Sequence, residues 1–315
     1  MMNKRTFLRN SVYLAAGSPF LLMGCGKETA KDNSTVEKPA PVPTEKTPYL
    51  DTIGLQLWTV REQLEADPET TLKAIKDLGY HQVELMDTRQ AAKILPICRD
   101  LNLKVNSSFM LWTTITGRWD LVPDEKEKFA FESVLDQANE ADLSHLVFGY
   151  IQPGERENLD AYRKLADQLN EAGLKAKERG LQMAYHNHNF EFERMGPQKQ
   201  FPLQILAERL EANLVPFELD VFWAAIAGVD PVGLLPTIKE RVKLLHLKDL
   251  KPKTEVTTTL DGIPEDAFQE LGDGSLPIKK LAKMGKEYGV DYCFVEQDQS
   301  PAPLESIAQS IDFLR

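Results

Sequence analysis

The sequence predicts a single-domain α/β protein of the (β/α)8 TIM-barrel class. Three observations point there. Strand-like and helix-like patterns alternate eight times between residue 49 and Arg315, and eight such units close a parallel sheet into a barrel. The chain beyond residue 48 is close in length to the roughly 250 residues of a typical barrel. The fifth to eighth strand patterns each finish on His, Asp or Glu, at the rim where barrels collect their active sites. An open doubly wound sheet is the rival. It normally carries a Gly-rich phosphate turn after its first strand, and Leu55-Gln-Leu-Trp-Thr-Val-Arg61 has none.

Residues 1–24 read as an export leader. Lys4, Arg5 and Arg9 form a basic start, Val12 to Met23 is mostly apolar, and Leu22-Met23-Gly24-Cys25 follows. Small Gly24 ahead of a cysteine resembles a lipobox, which makes Cys25 the expected lipidation site. Asn3-Lys-Arg-Thr-Phe-Leu-Arg9 resembles a twin-arginine signal with Lys in the first arginine position, so the export route stays open. The apolar stretch is short for a membrane span. Residues 25–48 are expected to be a disordered tether: Lys, Glu, Thr, Asp and Ser with a Pro-Ala-Pro-Val-Pro run offer almost nothing to bury. The expectation is an exported lipoprotein, facing the periplasm or on the outer membrane, that touches membrane only through its lipid, with residues 49–315 as the catalytic domain.

Within that domain, strands are expected near 53–57, 81–85, 104–109, 146–149, 182–186, 217–220, 243–246 and 292–296. Helices are expected over Pro68–Leu78, Asp124–Ala141, Leu159–Arg179, Pro202–Leu210 and Pro277–Tyr288. Gly79, Gly180 and Gly289 stand where glycines close helices. Cys98 on a helix and Cys293 in a strand read as small buried apolar residues. The formal charge of −11, more negative still without the basic leader, argues against nucleic acid or anionic polymers as partners.

The chemistry-bearing residues sort by place along the strands. His81 and His145 begin strands and read as surface or satisfied polar groups. His186, Asp220, His246 and Glu296 end four successive strands. Two imidazoles and two carboxylates make a shell for one divalent ion such as Mn, Co or Zn, with coordination left for substrate. His188 lies two residues past His186 and so shares its face. Asp220 alone reads equally well as a helix cap, and Lys248 beside Asp249 as a salt bridge. The combination carries the signal.

His246-Leu-Lys-Asp249, Phe217-Glu-Leu-Asp220, Tyr185-His-Asn-His188-Asn-Phe-Glu191, Val295-Glu296-Gln297-Asp298 and Leu271-Gly-Asp-Gly-Ser-Leu-Pro277 together resemble the xylose-isomerase-like TIM-barrel family. That family holds sugar isomerases, ketose 3-epimerases, inosose dehydratase and exported 3-keto-glycoside lyases. The resemblance runs from about residue 50 to 315 and implies metal ligands at His186, Asp220, His246 and Glu296. Two departures matter. The ketose epimerases carry a Glu where His186 stands and a His where Trp223 stands. An epimerase with one Glu on each face of the substrate is therefore disfavoured, since only Glu296 of that pair survives.

The expected chemistry is removal of an α-proton from a sugar whose carbonyl and neighbouring hydroxyl are held by the metal. His188 is the favoured base, with Glu191 or Lys248 assisting and Glu296 as an alternative base. Trp58, Trp112 and Trp223 fall near strand ends, where flat apolar faces suit sugar rings. Trp119 lies nearby. An exported, acidic protein suits an unphosphorylated sugar or glycoside. Elimination from a 3-keto-glycoside ranks level with or slightly above isomerisation or epimerisation. The non-enzyme rival is a sugar-binding lipoprotein that needs no metal. A DNA-repair-type nuclease would need more metals and a basic groove.

Overall fold

A computed structural model describes residues 49–123, 125 and 127–315. The leader, the tether and Cys25 lie outside the described residues, so the expectations for them are not addressed by the fold. Among the described residues, no helix is long and apolar enough to cross a membrane.

Eight parallel strands close into a barrel: β1 (Ile53–Gln56), β2 (Gln82–Leu85), β3 (Lys104–Met110), β4 (His145–Phe148), β5 (Gln182–His186), β6 (Phe217–Asp220), β7 (Val242–Leu247) and β10 (Tyr292–Val295), with β10 pairing β1. The two remaining strands, β8 (Asp249–Leu250) and β9 (Phe268–Gln269), form a small antiparallel ribbon after β7. The strands fall within a residue or two of their sequence expectation, with Glu296 one residue beyond β10 rather than in it. Every residue of β6 is buried, as a strand covered by helices outside and core inside requires. Val147, Ala184, Leu244 and Phe294 pack together as a buried apolar cluster. Gly54 belongs to that close packing, because a Cβ there would stand 2.7 Å from Phe294 and Gln82 side-chain atoms.

Two strand pairs slip register, β2 with β3 between Val83 and Glu84, and β6 with β7 between Phe217 and Glu218. The extra residue is Asn106 in β3 and Lys243 in β7, each on the strand that faces a buried glutamate, Glu84 or Glu218.

The helices follow the sequence with one correction. The helix expected from Asp124 begins at Phe131, and residues 125 and 127–130 are not helical. Residues 127–130 are exposed or half-buried, and Phe131 is the first of the stretch to be buried. Gly79, Gly180 and Gly289 take φ of +94°, +77° and +78°, the left-handed backbone that ends a helix at little cost only with glycine. The long helix Leu159–Glu178 starts at Asn158, whose Oδ1 accepts from the Asp160 and Ala161 amides at 3.0 Å each. Asn158→Ala is expected to cost about 1 kcal/mol, read as a lower urea midpoint with unchanged slope.

Cys98 and Cys293 are buried free thiols. His145 is satisfied by the Ser144 hydroxyl at 2.8 Å and by Asp291 at 3.5 Å.

Candidate functional site

At the carboxyl ends of the strands lies a pocket of about 570 Å³, lined among others by Trp58, Phe109, Trp112, Tyr150, Trp223 and Phe268. Its polar lining includes His186, His188, Lys248, Glu296 and Asp298. Three of the four tryptophans thus stand where the sequence reading put sugar-facing surfaces, while Trp119 packs on Phe129 instead.

The strand-end residues converge. Ligand atoms of His186, Asp220 and His246 all lie within 4.8 Å of one another. Asp220 Oδ2 is 4.0 Å from His186 Nε2 and 3.9 Å from His246 Nδ1. Glu296 stands beside this triad, its Oε2 2.7 Å from His246 Nδ1 and 2.8 Å from the Lys248 ammonium. All four side chains are buried.

Asp220 performs two tasks. It ends β6 and caps the helix Val221–Ile226, with Oδ1 accepting from the Trp223 amide at 2.9 Å. Oδ2 turns to the site and accepts no hydrogen bond, although the Lys248 ammonium is 3.2 Å away. The cap reading holds on Oδ1, and Oδ2 is the oxygen left over for an ion.

Beneath the triad lies a carboxylate pair that sequence reasoning missed. Glu218 Oε2 is 3.0 Å from His186 Nδ1, and Glu84 Oε2 is 2.8 Å from His246 Nε2. Glu84 also accepts from the Gln56 amide at 2.7 Å and from the Ser107 hydroxyl. A metal-binding histidine characteristically gives its second ring nitrogen to a carboxylate, which fixes its orientation and raises its donor strength. Both histidines have that partner. Glu84, Glu218 and His246 themselves form a second compact group of ligand atoms. Glu218 stands two residues before Asp220 in a strand, so period-two alternation was the available signal.

Charge within the cluster follows from burial and neighbours. Burial, then His246 and His188, hold His186 well below its ordinary pKa, so it is a neutral imidazole. For His246 burial opposes charge, yet Glu218 and Glu296 outweigh it and push the pKa well above normal. Burial would raise Glu296, but Lys248 and His246 hold it well below the usual carboxylate range. Glu218 is pushed up to about 8 by burial and by Glu84. The ammonium of Lys248 resists burial because Asp220, Asp298 and Glu296 surround it. The sequence reading allowed a Lys248–Asp249 salt bridge. Lys248 instead pairs with Asp220, Glu296 and Asp298, since adjacent residues face opposite ways.

Asp249 turns outward into the loop ahead of the helix Ile278–Glu287. Its carboxylate accepts from the amides of Leu250, Gly272, Gly274 and Leu276. A Cβ on Gly274 would stand only 2.1 Å from Asp249 Oδ1, so that loop closes only around glycine.

His188 lines the pocket next to His186, ring centroids 5.2 Å apart. Its ring stacks on Phe190 at 5.3 Å and meets Trp223 at 5.1 Å. Nδ1 is buried without a hydrogen-bond partner. Burial, then Lys248, lower its pKa to about 3, which keeps the ring neutral. Glu191, expected to assist the base, contacts it through the backbone. Its Oε1 accepts from the Tyr185 hydroxyl at 2.6 Å and its Oε2 from the His188 amide at 2.9 Å. The turn Phe190–Phe192 carries this carboxylate into the protein, where burial pushes its pKa to about 7. It positions His188 and does not line the pocket.

The donor set fits a divalent ion. Two imidazoles with carboxylate-bound far nitrogens face a carboxylate oxygen that accepts no hydrogen bond, and buried polar atoms are ordinarily satisfied. His186, Asp220 and His246 would hold the ion, with Glu296 at hand.

Residues 72–315 match the model of a family described as xylose isomerase-like TIM barrel. Among curated proteins the chain is similar to an inosose dehydratase of Clostridium perfringens, 29% identical over 170 residues, 50% of this chain and 55% of that protein. An inosose dehydratase of Lacticaseibacillus casei is 28% identical over 152 residues, 45% of this chain and 49% of that protein. The chain spans about half the length of the curated relatives it matches. Among solved structures, a sugar phosphate isomerase/epimerase from Parabacteroides distasonis superposes with a TM-score of 0.69 at 21% identity, covering 83% of this chain and 96% of that one. The IOLI protein with a bound zinc atom gives 0.60 at 14% identity, over 83% of this chain and 95% of that one. At these identities the structural likeness establishes the fold. The family match over most of the barrel goes further: this chain belongs to the xylose isomerase-like TIM barrel family.

Proposed function

We propose that the protein is a metal-dependent lyase that enolises an unphosphorylated keto-sugar and cleaves a 3-keto-glycoside by β-elimination. The observation that carries the reading is the buried His186, Asp220 and His246 triad, which meets an aromatic-walled pocket through His186, with Glu296 and His188 in the same lining. A divalent ion held there supplies Lewis-acid polarisation of a carbonyl oxygen. The relatives named inosose dehydratase support elimination, because a dehydratase also expels an oxygen substituent.

The remaining work falls to side chains. His188, neutral and with Nδ1 lacking a partner, takes the proton from the carbon next to the carbonyl. The electron pair of that C–H bond forms the new C=C bond. The glycosidic C–O bond on the adjacent carbon breaks, and the departing oxygen picks up a proton. Glu191 fixes the backbone under His188, and Trp58, Trp112 and Trp223 wall the sugar. Lys248 is the one fixed cation among the described pocket-lining residues, and three carboxylates already surround it. None is left for a phosphate, which favours an unphosphorylated substrate.

The test is incubation with 3-keto-glucosides and with free ketoses in deuterated water containing manganese or cobalt. Glycosides are expected to release their alcohol with an unsaturated keto-sugar, and His188→Ala to slow this by roughly 10²–10⁴-fold with metal content unchanged. Epimerised or isomerised ketoses beside intact glycosides would replace lyase with isomerase. We also propose export and lipid attachment at Cys25. Full-length protein should sediment with membranes and Cys25→Ser should not; equal sedimentation of both overturns the anchor.

A further inference from the structure

A second cavity, of about 410 Å³, adjoins the pocket and shares Tyr150 and Leu260 with it as common wall. We propose that it is a subsite for a second, uncharged sugar ring, the part of the glycoside that departs. This rests on the elimination reading above and adds to it the class of leaving group.

Position supports the assignment. The carbon that loses its proton neighbours the carbon that loses its substituent, so the leaving group must lie close to the base. Tyr150 meets the His188 ring at a centroid distance of 5.5 Å. Phe190 stacks on His188, and the Arg156 guanidinium lies 3.6 Å from the Phe190 ring centroid and reaches the second cavity. The cavity therefore begins one ring away from the proposed base.

Chemistry supports it too. Gln152, Arg156, Thr258 and Thr259 line the cavity, a mixture of donors and acceptors suited to hydroxyls. The Arg156 Nε is buried without a hydrogen-bond partner, and such groups are normally satisfied. Glu157, Glu193 and Asp261 line it as well. Three carboxylates against one guanidinium disfavour an anionic ring and suit a neutral one. The volume falls within the roughly 300–1,000 Å³ of small-molecule sites.

The wall is also fixed in place. Buried Asn189, the residue after His188, donates from Nδ2 to the carbonyls of Thr257 at 3.2 Å and Thr259 at 2.8 Å. The Thr257 amide bonds the Ile226 carbonyl at 2.9 Å. The same turn that carries the base thus holds the cavity rim, and such preorganisation lowers the cost of binding.

Calorimetric titration of the metal-loaded protein tests this without turnover. The probes are methyl β-glucoside and the disaccharides trehalose, maltose and cellobiose. At least one disaccharide is expected to bind ten-fold or more tightly than the methyl glucoside. Thr258→Trp, which fills the cavity, and Arg156→Gln, which removes its cation, should each abolish that advantage while leaving methyl glucoside affinity within two-fold; thermal melts confirm that both fold. Equal affinity for one ring and two, absence of sugar binding, or equal weakening of both probes by both variants overturns the subsite. Disaccharide preference in a protein that cleaves no keto-glycoside overturns only the lyase reading, and cleavage without preference overturns only the subsite.

Discussion

Asp220→Asn is expected to empty the metal centre while leaving the barrel folded. Asparagine caps helices about as well as aspartate, so the bond from the Trp223 amide to Oδ1 is retained. What is lost is the charge on Oδ2, the oxygen 4.0 Å from His186 and 3.9 Å from His246. Metal content after dialysis should fall from near stoichiometric to trace, and turnover by at least about 10³-fold, as for other groups that stabilise developing charge directly. Far-ultraviolet dichroism should match the parent. His246→Ala should behave likewise for metal. Full metal content in either variant would remove that residue from the shell.

Lys248→Met is expected to have the largest effect on stability. The ammonium lies 3.2 Å from Asp220, 2.8 Å from Glu296 and 3.1 Å from Asp298, all buried. Removing one partner of such a cluster leaves uncompensated buried charge, at about 3–5 kcal/mol. Two of those carboxylates also belong to the candidate metal shell. An added divalent ion should therefore raise the melting temperature of metal-free Lys248→Met by more than it raises that of the metal-free parent. A melting curve unchanged by the substitution, or an equal gain from metal in both proteins, would show that Lys248 and the ion do not share those oxygens.

The barrel was legible because its determinants are local. Alternating strand and helix patterns, and glycines after helices, need no knowledge of distant partners. The convergence of His186, Asp220 and His246 was legible from topology, since strand ends of a closed barrel must meet. Glu84 was not. It touches His246 across 162 residues of sequence, a contact that only the closed barrel brings about. Glu218 and the partners of Lys248 were accessible by alternation, which sets Glu218 on the face of Asp220 and Lys248 opposite Asp249. Glu191 stands outside the pocket lining because a 3-10 turn, Phe190–Phe192, follows His188, and a strand-based extrapolation cannot anticipate that turn.

The divided duty of Asp220 ties two parts of the molecule mechanically. One carboxylate oxygen anchors the first turn of a helix, and the other faces the candidate metal site. That helix bears Phe222 and Trp223, whose rings pack with Phe268, the Phe222–Phe268 stack at 4.4 Å, and Trp223 and Phe268 both line the pocket. A ligand that leans on this wall would load the same lever that steadies the proposed cation. Whatever affinity the cation lends the ligand, the ligand must return to the cation in equal measure.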